Sequence, residues 1–166
     1  MSNLVDSAES ALTRQGWKPQ RLPDSPILLT AYHGQNGSYE CLCVVDEPKG
    51  TALCTASVLV PCPPDKRSTM LAFLNAANLA LDAGSLEMHP EWIRARTAVD
   101  LGTDGAADGL LGQAMQQVGA LLDRYVPGIA AIRNTSIGAE AALALVEHRQ
   151  RALGEALPAH GGGQGS

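Results

Sequence analysis

Near the N-terminus, apolar residues fall at Leu4, Val5, Ala8, Ala11 and Leu12, a spacing that lines one face of an α-helix. Ser2 is placed to cap its start. At its end Gly16 can adopt the left-handed conformation, which folds Trp17 back over Leu12 in a Schellman motif. Trp17 is therefore read as a packing residue. Pro19, Pro23 and Pro26 then exclude both a helix and a central strand. Strands are expected over 27–32, 39–45 and 52–60, where β-branched and aromatic residues concentrate. Short polar links containing Gly34, Gly37 and Gly50 make these three a meander of antiparallel neighbours.

The prolines after Cys62 open a second helix carrying Met70, Phe73, Leu74, Ala77 and Leu81, and Gly84 stops it. Two strands, over 85–88 and 92–101, follow around a turn with Pro90 at its first corner. One register sets Met88 opposite Ile93 and Leu86 opposite Ala95 on one face, and Glu87 opposite Arg94 on the other. An apolar face and a charge pair thus emerge together. A third helix runs from Leu110 through Tyr125, with Pro127 expected to end or kink it, and a final helix covers about 137–153. Its packing face is not fixed by the pattern, since Ala141, Leu145 and His148 lie on one side and Leu143, Val146 and Leu153 on others. The expected whole is one α+β domain over 1–153 with a flexible tail at 154–166. Its five-stranded antiparallel sheet is packed with helices in the order α-βββ-α-ββ-α, followed by one more helix.

Composition narrows the partners. With 45% hydrophobic residues but only 4% aromatics in 166, the core must be aliphatic and alanine-rich. A net charge of −5 repels phosphate backbones, so no nucleic-acid partner is expected. The first residues carry Asp6 and Glu9 where an export signal would be apolar, and the longest apolar run is far shorter than the ~20 residues that span a bilayer. A cytoplasmic protein without a membrane partner is expected.

Candidate chemistry mostly meets a structural explanation. Cys41, Cys43, Cys54 and Cys62 lack the tight-turn spacing of zinc ligands and read as buried free thiols. Asp100, Asp104 and Asp108 could suggest magnesium, yet acidic residues gather at helix starts anyway. His33 and His89 sit in turns, and no Gly-x-Ser-x-Gly elbow is present. Neither a catalytic residue nor a metal or other cofactor is expected. Asn75 and Asn78, three apart on the second helix, need a reason to be there: bonds to a loop, or a partner. The hairpin's outer face, with Trp92, Arg94 and Arg96, is the candidate contact surface, because Trp and Arg dominate binding hot spots.

Two stretches carry a family resemblance. The first runs from Phe73-Leu74-Asn75-Ala76-Ala77-Asn78-Leu79 through Gly84-Ser85-Leu86-Glu87-Met88 to Arg94-Ala95-Arg96-Thr97-Ala98-Val99-Asp100-Leu101. The second is Tyr125-Val126-Pro127-Gly128-Ile129-Ala130-Ala131-Ile132 with Gly138-Ala139-Glu140-Ala141-Ala142. With the element order, they resemble the YbjN family of bacterial sensory-transduction regulators, which shares the fold of type III secretion chaperones. The likeness covers approximately 3–147, and it departs where Pro90-Glu91 replaces a Gly-containing turn. The resemblance implies a homodimer that binds other proteins as a regulator or adaptor. Alternatively, it implies a chaperone holding an extended segment of a client.

Overall fold

In the computed structural model, which describes residues 3–102 and 109–156, the first helix, α1, spans Leu4–Arg14. Its cap corrects the expectation placed on Ser2, which lies outside the described residues. Asn3 takes the capping position: its side chain accepts from the Asp6 N–H at 2.8 Å, and Asp6 accepts from the Asn3 N–H at 3.4 Å. This is a reciprocal capping box. The C-terminal end follows expectation. Gly16 is left-handed (φ 86°), and the N–H groups of Gly16 and Trp17 donate to the carbonyls of Thr13 and Leu12.

Six strands, rather than five, form one antiparallel sheet in the order β1-β2-β3-β4-β6-β5. They are β1 (Gln20–Arg21), β2 (Ile27–His33), β3 (Ser38–Asp46), β4 (Thr51–Val58), β5 (Ser85–His89) and β6 (Trp92–Asp100). The extra strand is only two residues long, held between Pro19 and Pro23 and paired with Leu28 and Leu29. A segment that short has no period to detect. The third expected strand stops at Val58 instead of Val60. The hairpin keeps its expected register, with Met88 opposite Ile93, Leu86 opposite Ala95 and Glu87 opposite Arg94. Neither Pro90 nor Glu91 has positive φ, as a type I turn requires.

A 3₁₀ turn, Pro64–Lys66, leads into α2 (Arg67–Leu79), and α3 (Leu110–Asn134) and α4 (Ala139–Ala156) complete the chain. Helix α4 runs into 154–156, beyond the expected start of the tail; 157–166 lie outside the described residues, as do Asp104 and Asp108. Helix α3 does not end at Pro127. A proline has no N–H to give the carbonyl four residues back, that of Asp123, and would normally leave it orphaned. Here the Asn36 side-chain amide donates to that carbonyl at 2.9 Å, so the helix passes through.

The helices pack on one face of the sheet, the one bearing Leu28, Tyr39, Cys41, Cys54, Ala56 and Ala95. Phe73 of α2 meets Tyr125 of α3 edge-on at 6.1 Å, and α4 closes over them with Ala142 and Val146. Cys43 stands directly opposite Cys54 in this core, and all four cysteines are free and buried. Burial pushes the Cys41 thiol up to about 12, and a hydrogen bond with Cys43, joined by burial, raises Cys54. Thiolate is the reactive form. Native protein treated with iodoacetamide at mildly alkaline pH should therefore keep Cys41 and Cys54 unmodified by mass spectrometry, and lose that protection in urea. Alkylation at the rate of an unfolded peptide would contradict the packing.

Candidate functional site

No described element covers the opposite face of the sheet. Antiparallel sheets open to water normally present polar residues there. This one does not. Leu29 pairs with Leu42, and Val44 pairs with Leu53, so four half-buried aliphatic side chains adjoin at its centre. Thr55, between Leu42 and Arg96 in the register, is only 3% exposed.

The hairpin residues singled out from sequence rim this patch together. Trp92, Arg94 and Arg96 alternate along β6 and so share the open face. The Arg94 guanidinium lies 4.6 Å from the Trp92 ring centre, and His89 stacks on the same ring at 4.7 Å. Glu87 accepts from Arg94 at 2.9 Å and from Arg96 at 3.0 Å. Burial alone would push its carboxyl up; the two guanidinium bonds outweigh that and hold it below the usual range. Indole and guanidinium are thus held in place by contacts within the chain.

The two amides are not brought together. Asn78 turns to β5: its Nδ2 donates to the Leu86 carbonyl at 2.9 Å, and its Oδ1 accepts from the Leu86 N–H at 2.7 Å. Asn75 is exposed on α2 between Leu71 and Leu79.

Sequence reasoning missed the polar centre of the fold. Asp123 of α3 is buried, and its carboxylate accepts from the N–H groups of Gln35 and Asn36 and from the Tyr39 hydroxyl at 2.7 Å. Burial, then this bond, raises the Tyr39 phenol. Asn36 also accepts from Arg149 of α4, so one loop is held by two helices. His33 Nδ1 and Ser38 Oγ are 2.8 Å apart on the exposed β2–β3 pair, but among the described residues no carboxylate bonds His33. Nor do three His, Cys, Asp or Glu side chains gather among those residues as a metal site would need. Asp100 instead accepts from the Gly102 N–H. No described helix is long and apolar enough to cross a membrane.

The sequence matches the YbjN family, described as "Putative bacterial sensory transduction regulator", over residues 5–131. Among solved structures the chain is similar to the E. coli YbjN crystal structure, described as "a putative transcription regulator". The TM-score is 0.54 at 12% identity, over 74% of this chain and 90% of that one. At that identity the likeness is one of fold. No protein of curated function matches the sequence.

Proposed function

The chain belongs to the YbjN family of regulators, and from that premise we propose that it is a non-catalytic regulatory or adaptor module that docks protein on the uncovered face of its sheet. The observation that carries this reading is the aliphatic patch of Leu29, Leu42, Val44 and Leu53 beside a prearranged Trp92–Arg94 pair. Surface patches of that composition mark interaction sites more often than accident. The clamp on Asp123 and the bonds of Asn78 belong to the scaffold.

A photo-crosslinking amino acid at Leu42, with a control at exposed Glu147 of α4, tests the reading in host cells. Adducts at Leu42 should exceed those at Glu147 and fall roughly tenfold or more in Trp92→Ala, at an unchanged melting temperature. Equal labelling at both sites, insensitive to Trp92→Ala, would sink the proposal.

A further inference from the structure

Asn36 is the one asparagine of this chain that a glycine follows; Asn3, Asn75, Asn78 and Asn134 precede Leu4, Ala76, Leu79 and Thr135. That neighbour matters, because a glycine offers its backbone nitrogen with no side chain in the way. The same amide is central to the fold. Its Nδ2 donates to the Asp123 carbonyl at 2.9 Å, its Oδ1 accepts from Arg149 at 2.9 Å, and the backbone N–H of Asn36 donates to the Asp123 carboxylate at 2.8 Å. Reactivity and structural importance coincide at one side chain.

We propose that Asn36-Gly37 is a covalent modification site, closed while the loop between β2 and β3 is clamped to Asp123 and open once that loop is released. Loss of ammonia there turns the amide of the clamp into an acid, and so marks irreversibly the chains that have come open. The Gly37 nitrogen gives up its proton and attacks Cγ of Asn36. A Cγ–N bond forms, the Cγ–Nδ2 bond breaks, and Nδ2 leaves with that proton as ammonia. Water then adds to one of the two carbonyls of the cyclic imide and returns a hydrogen to the ring nitrogen. Opening at Cγ gives aspartate; opening at the main-chain carbonyl gives isoaspartate. The ammonia takes up the proton of the new acid, and no oxidant or reductant is needed.

The fold withholds the first step. Attack requires Cγ to swing onto the Gly37 nitrogen, yet the two ends of the carboxamide are held by different helices, Nδ2 by α3 and Oδ1 by α4. The turn is closed as well, by the Gly34 N–H on the Gly37 carbonyl at 2.8 Å. Conversion therefore waits on local opening of the loop. Gly37 is exposed, so water for the second step is at hand.

The product cannot rebuild the clamp. Aspartate at this position has no Nδ2 hydrogen for the Asp123 carbonyl, which Pro127 already deprives of its helical donor. It also turns a carboxylate toward that carbonyl oxygen, on the residue whose N–H holds the Asp123 carboxylate, so like charges are drawn together. Arg149 is the one contact that gains. Isoaspartate disturbs more, because it adds a carbon to the main chain inside the turn that sets His33 opposite Ser38.

The test holds the full chain for several days in mildly alkaline buffer with a reductant, once native and once in guanidinium chloride, and then weighs its tryptic peptide 22–49. Conversion at Asn36, localised by fragmentation, should run at least about tenfold faster in denaturant. There Gly37→Ala should slow it by roughly an order of magnitude, since a methyl group then crowds the attacking nitrogen. When the denatured sample is diluted and treated with thermolysin, the chains that survive should be enriched in unconverted Asn36. Asn36→Asp should melt roughly 4–8 °C below wild type. Equal conversion in the two conditions would overturn the shielding. A converted fraction as high among the survivors as before digestion would overturn the consequence, and this comparison still decides if Asn36→Asp does not fold.

Discussion

Asp123→Ala is expected to lower the free energy of unfolding by about 3 kcal/mol, because it strips one acceptor from several donors that have no other. The Gln35 and Asn36 N–H groups donate to this carboxylate at 3.0 and 2.8 Å, and the buried Tyr39 hydroxyl donates at 2.7 Å. Charge-assisted bonds of this kind are the strong ones, and the donors left behind would be only partly rewetted. Asp123→Asn keeps the shape but turns one acceptor into a donor facing donors, so it should recover little. Gly34→Ala should act in the same sense, since a Cβ there would collide with the Asp123 carboxylate. Urea unfolding followed by circular dichroism measures all three. A loss under about 1 kcal/mol for Asp123→Ala would mean that water replaces the carboxylate and that the clamp is dispensable.

Gly128→Val is the second large effect, expected near 3 kcal/mol and a fall of roughly 6–12 °C in melting temperature. A Cβ on Gly128 would stand 2.5 Å from Phe73 Cζ and 3.0 Å from Val146 Cγ2. Phe73 is fully buried and held edge-on by Tyr125, so it has nowhere to withdraw. Removing a helical glycine gains up to about 1 kcal/mol, which the overlap of two further methyl groups exceeds. Gly154→Ala supplies the control. It lies in α4 with nothing within 4 Å of the added atom, so it should be neutral or slightly stabilising. Equal melting temperatures for Gly128→Val and wild type would show a looser junction of α2, α3 and α4 than described.

Much of the fold is legible along the chain because its signals are local. Gly16-Trp17 announces a helix end by five-residue geometry, and the β5–β6 register follows from matching Glu87 to Arg94 while Leu86 meets Ala95. Asn3 and Asp6 also carried a local signal, the three-residue spacing of a capping box, which outranks Ser2 as a cap. What escapes is non-local. Asp123 looks like any acid on an amphipathic helix until the chain brings Gln35, Asn36 and Tyr39 to it from 84 to 88 residues away. Pro127 reads as a break because nothing nearby tells that Asn36 will satisfy the freed carbonyl. The site was half visible. Trp92 and Arg94 stand out by residue type, whereas Leu29, Leu42, Val44 and Leu53 look like ordinary strand residues. Only the placement of every helix on one side makes them a surface.

The bonds of Asn78 to Leu86 have one more consequence. Their amide presents to β5 the same donor and acceptor that a seventh strand would bring. An edge of this kind is otherwise a template on which stray chains can polymerise. Here the terminus of the sheet is stoppered by a side chain from its own helix, and an incoming strand would first have to evict it. Lateral growth into fibres is thereby checked at β5, at the level of a single residue.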